Sequence, residues 1–186
     1  EISLGLVGSE MCIRDRSRNV GEYRYPLGGK LYVFNKNENI GFIKGHMCSP
    51  AIATQAEDLI AGGVKELIHV GYAGGLQPEL VPGEIILTDG AFNDTAVARL
   101  YGYDYDIIHS SKDLTNEIEE MITSAEILYK RGFHWTTDAG YRETWGQVMD
   151  YRDKGALCVE MEGVGLFTIA TVSYTHLRAH ETEADL

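Results

Sequence analysis

Short apolar runs alternate with longer helix-like segments along this chain, and that alternation is the feature that most restricts its fold. The apolar runs predict strands at residues 31–34, 40–43, 66–70, 83–87, 132–136 and 156–159, and the longer segments predict helices at 51–61, 113–130, 142–154 and 161–170. Five polar residues separate the first two strands, which predicts a hairpin. Strands that alternate with helices favour a central sheet covered by helices on both faces. We therefore expect one α/β domain with a mixed or mostly parallel sheet.

Two segments between these elements give further local predictions. Ser49 can accept a hydrogen bond from the first turn of the following helix, and Pro50 suits that turn. Gly62 and Gly63 are typical of the end of the same helix. The segment 93–111 is rich in Tyr and Asp and has no clear period, so it is predicted to be a long functional loop.

The charge and the cysteines exclude several classes of partner. A formal net charge of -12 opposes binding to the nucleic-acid backbone. No apolar run approaches the roughly 18 to 20 residues that a membrane span needs. The spacing of Cys12, Cys48 and Cys158 fits neither a disulfide framework nor a zinc site. These features predict free thiols, a cytoplasmic protein, no bound metal, and no nucleic-acid or membrane partner.

Both ends of the chain resemble translated laboratory DNA. Residues 6–16 read LVGSEMCIRDR and residues 172–182 read VSYTHLRAHET, and neither stretch has a helical or strand period. They resemble translations of the two strands of a transposase adaptor used to prepare sequencing libraries. We expect residues 1–16 and 172–186 to be artefacts and 17–171 to be a natural domain cut at both sides, which removes Cys12, His176 and His180 as ligands. The alternative is a genuine strand at 2–7 and a genuine C-terminal tail.

A glycine-rich loop at residues 71–75 follows the predicted strand 66–70 directly. Its three glycines would let the main chain approach a ligand closely and expose N–H groups to it. Ligands of open α/β sheets bind at the carboxyl ends of strands, where this loop would lie. The alternative is an ordinary tight turn.

A pair of glutamates lies where the predicted strand 156–159 gives way to a helix. Glu160 and Glu162 flank Met161 among apolar neighbours, and a carboxylate is rarely buried unless it is paired or used. Two solvated glutamates at a helix start would be stabilised equally well by the helix dipole. The residues alone leave both interpretations open.

Three stretches carry a family resemblance: GGVKELIHVGYAGGLQPELVPGEIILTDGA at 62–91, TTDAGYRE at 136–143 and GALCVEMEGVGLFTIA at 155–170. In sequence, order and spacing they resemble the nucleoside phosphorylase family, which includes purine and uridine phosphorylases and adenosylhomocysteine-type nucleosidases. The resemblance implies a nucleoside phosphorylase-like α/β fold. It also implies phosphorolysis of the N-glycosidic bond of a purine or pyrimidine nucleoside to free base and ribose 1-phosphate.

The resemblance also implies a role for individual residues. Glu162 would bind the ribose hydroxyls as the catalytic residue, Met161 would pack against the sugar, and Glu160 would support them. The other implied substrate-binding residues are Gly71, Tyr72, Ala73 and Gly74 beside phosphate and ribose, Thr137, Asp138, Tyr141 and Arg142 in the base pocket, Ser49 near the nucleoside, and His69. Inorganic phosphate would be a co-substrate, no metal or organic cofactor would be needed, and the protein would be a homo-oligomer, a dimer or hexamer.

The chain departs from the family pattern in two ways. His69 stands where phosphorylases usually carry an arginine that binds phosphate, and a neutral imidazole is a weaker phosphate ligand. An ordinary buried strand histidine is the alternative. The family's first phosphate-binding strand should precede residue 17, and a base-contacting strand should follow Ala170, so the chain alone is expected to be inactive. A hydrolytic nucleosidase and a non-catalytic nucleoside-binding module remain alternative functions.

Overall fold

A computed structural model describes residues 16–23 and 29–183 of the chain, with side chains described as far as residue 173. The alternative strand at 2–7, and all but the last residue of the proposed N-terminal artefact, lie outside the described residues.

A small antiparallel sheet comes first in the described chain. Its strands are β1 (Ser17–Tyr23), β2 (Gly29–Phe34) and β3 (Asn37–Phe42), in that spatial order. β2 and β3 form the hairpin that the sequence predicts, joined by a two-residue turn. β1 was not predicted, because its sequence SRNVGEY has only one aliphatic side chain.

The main sheet has five strands and is mixed, as the sequence predicts. Its strands are β4 (Gly74–Gly75), β5 (Ile85–Asp94), β6 (Ile107–His109), β7 (Tyr129–Thr137) and β8 (Cys158–Glu160), in the spatial order β4-β8-β7-β5-β6. The central pairs β5–β7 and β7–β8 are parallel, whereas the two outer pairs are antiparallel. The predicted α/β class with a mixed sheet is confirmed.

Five α-helices and one short 3-10 helix accompany the sheets in the described residues. They are α1 (Ser49–Ala61), α2 (Val97–Leu100), α3 (Lys112–Ser124), the 3-10 helix (Gly140–Arg142), α4 (Trp145–Asp153) and α5 (Gly163–Glu183). Thr144 begins α4 with a capping box, in which its hydroxyl accepts from the Gln147 N–H. α5 continues beyond the predicted end at residue 170. No described helix is long and apolar enough to cross a membrane.

Helices α1 and α5 pack closely, and this contact fixes one side of the candidate site. A methyl group built on Gly165 would lie 2.5 Å from the Ser49 carbonyl oxygen, so the two backbones nearly touch. Around this crossing lie the buried side chains Ala53, Ala56, Val97, Leu166 and Ile169. Burying these apolar side chains supplies the main favourable free energy that holds the helices together.

The predicted strand at 66–70 is wrong. Residues 64–73 have no regular secondary structure, and Val70 is exposed. A strand needs a neighbour that pairs with its main chain. Within the described residues, only the two residues of β4 pair with the three-residue strand β8 on this side. The apolar run therefore lacks a pairing partner in this structure.

The predicted long loop at 93–111 is also wrong. β5 extends to Asp94, α2 follows, and β6 returns antiparallel to β5. β5 includes polar residues such as Thr88 and Asn93, which pair with the parallel strand β7. Because these residues interrupt the apolar run, the sequence pattern does not predict the full length of β5. The helix predicted at 113–130 ends earlier, at Ser124, because Glu126 adopts a positive φ of 55° and β7 begins at Tyr129.

Candidate active site

The ends of β7 and β8 place the predicted motifs side by side. The strands are parallel and in register, with Trp135 opposite Val159 and Thr136 opposite Glu160. Their carboxyl ends therefore meet at one edge of the sheet, the usual position of ligand sites in such folds. Segment 138–142 follows β7 there, and Glu160, Met161 and Glu162 lie at the end of β8 and just after it.

Glu160 is the buried member of the glutamate pair, with a side chain that is 12% exposed. Its Oε2 accepts the N–H groups of Glu162 at 2.9 Å and Gly163 at 2.8 Å. Its Oε1 accepts the Thr136 hydroxyl and lies 3.0 Å from His134 Nε2. Burial pushes the pKa of Glu160 upward, but His134, Thr136 and the Glu162 N–H together hold it below the ordinary value. Glu160 is therefore an ionised carboxylate that organises the start of α5.

Glu162 is half-buried and turns towards the loop before α1. Its Oε1 accepts the Cys48 N–H at 2.8 Å, and its Oε2 lies 3.3 Å from the Met161 N–H. An ionised carboxylate has about four acceptor positions, so two N–H donors leave acceptor capacity for a ligand. Glu162 can thus accept hydroxyl hydrogen bonds while the Cys48 main chain holds it in place.

The main chain at Cys48 is strained. Its φ of 72° and ψ of 148° are values that non-glycine residues rarely adopt. Burial, then the negative charges of Glu162 and Asp138, raise the pKa of the Cys48 thiol, so it is not an activated nucleophile. The same electrostatic effects show that Asp138 and Glu162 both lie near Cys48.

Ser49 belongs to this site but does not cap the helix as predicted. It lies inside α1, with Cys48 at the capping position, and no side chain caps the helix. Ser49 is fully buried, and its hydroxyl donates to the Met161 carbonyl at 3.0 Å. It therefore ties α1 to the glutamate segment rather than presenting its hydroxyl to a ligand.

The glycine-rich loop runs next to β8. Gly74 pairs with Val159, and a methyl group built on Gly74 would lie 3.2 Å from a Val159 methyl carbon. His69 lies between two glycines: a methyl group on Gly71 would be 3.2 Å from its ring, and one on Gly45 would be 3.4 Å from it. The structure thus brings His69 beside the predicted glycine-rich loop at 71–75 and beside Gly45, which precedes α1.

The predicted base-pocket residues divide into two groups. Thr137 is buried, and Asp138 accepts the Ala96 N–H at 3.0 Å. Met161 lies close to Gly140, since a methyl group there would be 3.6 Å from its sulfur. Tyr141 and Arg142, in the 3-10 helix, are exposed. The residues predicted beside phosphate and ribose, Gly71, Tyr72, Ala73 and Gly74, are also exposed.

Two side chains that support the glutamates were not predicted from the sequence. His134 is buried in β7, and its Nδ1 lies 2.6 Å from the Thr88 hydroxyl. A histidine among apolar and β-branched residues in a predicted strand was the available signal. Thr88 gave no signal, because it follows the residues predicted as a strand. In the described part of the chain, no group of three or more His, Cys, Asp or Glu is arranged to hold a metal ion.

Comparisons with known proteins agree with this architecture. Residues 13–172 match the family model described as the phosphorylase superfamily. The DeoD-type purine nucleoside phosphorylase of Exiguobacterium sibiricum is 32% identical over 124 residues, which cover 65% of this chain and 52% of that protein. The DeoD-type enzyme of Caldanaerobacter subterraneus subsp. tengcongensis is 33% identical over 141 residues, covering 70% of this chain and 60% of that protein. The chain thus spans about half the length of the curated relatives it matches.

A solved structure shows the same fold. Uridine phosphorylase from Vibrio fischeri ES114 superposes with a TM-score of 0.79 at 23% identity, over 92% of this chain and 72% of that one. At that identity the likeness establishes the fold alone. The family match covers most of the chain and includes every predicted site residue, so the chain belongs to the phosphorylase superfamily.

Proposed function

We propose that residues 17–171 carry the ribose-binding part of a nucleoside phosphorylase. The reaction would transfer a pentosyl group from a purine or pyrimidine nucleoside to inorganic phosphate. The observation that carries the proposal is the carboxylate of Glu162, held at a strand end by the Cys48 N–H with acceptor capacity to spare. The phosphorolytic relatives named above support the same reaction class.

The proposed chemistry places positive charge on the sugar. As the C1′–N bond breaks, the base leaves with the electron pair and takes up a proton, and a phosphate oxygen forms the new bond to C1′. Glu162 would accept hydrogen bonds from the ribose hydroxyls and oppose the developing charge. Met161 would contact the sugar, and segment 137–142 would lie towards the base. Phosphate is a co-substrate here, and no resident cofactor is proposed.

One observation favours hydrolysis as the second candidate. His69 lies beside Gly45 and Gly71, where the family resemblance places a phosphate-binding arginine. A neutral imidazole holds a phosphate dianion less strongly than a bidentate guanidinium does. Water would then replace phosphate as the nucleophile, and the products would be free base and ribose.

An assay with and without phosphate separates these reactions. The samples are the 186-residue chain and a longer product of the undisturbed gene, each incubated with inosine or uridine. We expect the longer protein to release ribose 1-phosphate only when phosphate is present, and the chain itself to show little turnover. Release of free ribose without phosphate would establish the hydrolytic reaction instead. Calorimetric binding without turnover by the longer protein would establish a nucleoside-binding module.

The proposal extends to assembly and location. Large apolar side chains are exposed around the site, at Met47, Tyr72, Tyr141 and Trp145. A second subunit that covers them would remove apolar surface from water, which supports a homo-oligomer, a dimer or a hexamer. Cys48 and Cys158 are free thiols, in keeping with a cytoplasmic protein.

A further inference from the structure

A buried chain of polar side chains runs from β5 through β7 to the start of α5. The Thr88 hydroxyl lies 2.6 Å from His134 Nδ1, and His134 Nε2 lies 3.0 Å from Glu160 Oε1. The His134 side chain is 5% exposed, so water does not compete for these contacts. A buried polar side chain is costly unless its partners satisfy it, which makes each link of this chain significant.

The His134 ring is held between partners on its two sides. Nε2 faces a carboxylate oxygen, and this contact is attractive only with a proton between the two atoms. The Thr88 hydroxyl has one hydrogen and two acceptors within reach, the Gly90 carbonyl at 2.9 Å and His134 Nδ1 at 2.6 Å, so either Thr88 or Nδ1 is the donor in the shorter contact. In both cases Thr88 holds Nδ1, which leaves Nε2 aimed at Glu160.

Glu160, which His134 contacts, in turn binds main-chain N–H groups at the start of α5. Its Oε2 accepts the N–H groups of Glu162 and Gly163, and Thr136, which donates to Oε1, accepts the Val164 N–H at 3.2 Å. Three successive main-chain N–H groups are therefore held by two side chains. The first of them belongs to Glu162 itself.

The helix start also lies directly against the imidazole. A methyl group built on Gly163 would lie only 2.3 Å from His134 Nε2, a distance no side chain tolerates. On its other side His134 packs against Phe167, with ring centroids 6.0 Å apart. The contacts of His134 thus include Thr88 on β5, Glu160 on β8, and Gly163 and Phe167 on α5.

We propose that His134 is a positioning residue, which orients the Glu160 carboxylate and through it the Glu162 main chain and side chain. The inference rests on the proposed ribose contact of Glu162 for its functional meaning. Its structural part, that His134 fixes the first turn of α5, holds whatever the ligand is.

Amide hydrogen exchange in the ligand-free 186-residue chain tests the structural part. In His134→Gln, we expect the amides of Glu162, Gly163 and Val164 to exchange about tenfold faster relative to Ile169 on the same helix. The matched control is His109→Gln, an exposed histidine on β6, which should leave this ratio unchanged. An unchanged ratio in folded His134→Gln would overturn the proposal. If that variant does not fold, Thr88→Val removes the group that orients the ring and should shift the ratio in the same direction; no shift there overturns the proposal equally.

Ribose discrimination tests the functional part. The affinities of inosine and 2′,3′-dideoxyinosine are measured by calorimetry for the chain and both histidine variants. We expect the preference for inosine to fall about tenfold in His134→Gln and to persist in His109→Gln. If His134→Gln instead weakens the binding of both ligands by the same factor, the inosine preference is unchanged. That result would indicate a general loss of stability and would contradict a positioning role. If the unmodified chain binds both equally or neither, the proposed function of Glu162 fails, and the exchange experiment still decides the role of His134.

Discussion

Two glutamates two positions apart have different chemical roles here because their surroundings differ. Glu160 is buried and has hydrogen-bond donors on both oxygens. Glu162 is half-buried and bound only by main-chain N–H groups among the described contacts. The side chain with acceptor capacity left over is the one that can meet a substrate. Glu160 is the side chain that builds the site around it.

If the proposed function holds, replacing Glu162 by Gln should lower turnover by the longer gene product named in the assay above without unfolding it. Glutamine keeps the shape but loses the charge and one acceptor, and charge-assisted hydrogen bonds are worth roughly 1.5 to 3 kcal/mol each. We expect kcat/KM to fall by about ten- to a hundredfold. Steady-state kinetics with inosine and uridine measure the effect.

Glu160→Gln is an unsuitable control for that experiment, because it would leave buried partners of the carboxylate poorly matched. Glu120→Gln is preferable, since Glu120 is exposed on α3. If Glu162→Gln keeps a near-normal kcat/KM on every nucleoside that the longer protein accepts, Glu162 does not bind the ribose and is only a negative charge at the start of a helix.

The ionisation of Glu160 should make stability depend on acid pH. Its pKa in the folded chain lies below the ordinary value of 4.5 despite burial, because His134, Thr136 and the Glu162 N–H favour the charged form. A lowered folded pKa contributes stability that is present above the unfolded pKa and is lost as pH falls through the folded pKa. Urea unfolding should therefore show a stability advantage over Glu160→Gln at pH 7 that shrinks below about pH 4.5. An advantage of constant size down to pH 3 would contradict an ionised, stabilising Glu160.

At the scale of elements, the sequence pattern predicted the helices and strands that are determined by neighbouring residues in the chain. The β2–β3 hairpin and α1 with its glycine end were predicted closely, because apolar period and turn residues determine them. Residues 66–70 look like a strand but have no partner in the described chain, and the Asn93–Asp94 end of β5 looks like a loop but pairs with β7. Whether a strand forms depends on its neighbours, which the pattern does not contain.

The candidate site shows the same division. Glu162, Met161 and the glycine loop were identified from motifs. In the structure the Met161 carbonyl accepts the Ser49 hydroxyl, Glu162 accepts the Cys48 N–H, and Gly74 pairs with Val159. His134 was missed because it acts through Glu160, which lies 26 positions away in the sequence. Thr88 was missed because it acts through His134, which lies 46 positions away. Contacts over that separation leave no period or motif in one sequence.

The close crossing of α1 and α5 predicts a large cost for one added methyl group. In Gly165→Ala the new carbon would lie 2.5 Å from the Ser49 carbonyl oxygen and 2.9 Å from its Cα, both main-chain atoms that cannot rotate away. The helices must separate, which should lower the free energy of unfolding by about 1 to 3 kcal/mol. Urea denaturation of the chain measures this loss.

Gly146→Ala is the matched control for that prediction. Gly146 lies in α4 with nothing within 4 Å of an added methyl group. It should be neutral or stabilising by up to about 1 kcal/mol, since alanine favours a helix more than glycine does. Equal stabilities for the two variants would show that the α1–α5 crossing can relax.

At the scale of the whole molecule, the site depends on distant parts of the chain meeting at one sheet edge. The loop before α1 reaches the β8–α5 junction across 114 positions, from Cys48 to Glu162. β7 reaches the same junction across 24 positions, from Thr136 to Glu160. The buried residues of α5 that support this arrangement are Gly163, Val164, Gly165, Leu166, Thr168 and Ile169, all of which precede residue 171. Up to residue 173, where the described side chains end, no later residue of α5 is buried.

Deleting residues 1–16 and 172–186 together should leave the thermal midpoint of the chain nearly unchanged. We propose that these stretches are foreign to the domain, and the buried face of α5 ends at Ile169 among the residues whose side chains are described. Val172 and Ser173 line a cavity beside Glu57 and Tyr101, so a small loss of packing is expected there. The midpoint should fall by less than about 3 °C, the change that roughly 1 kcal/mol produces in a chain of this size. Differential scanning calorimetry compares the 186-residue chain with residues 17–171, and a drop of about 10 °C or more would make the terminal stretches part of the folded domain.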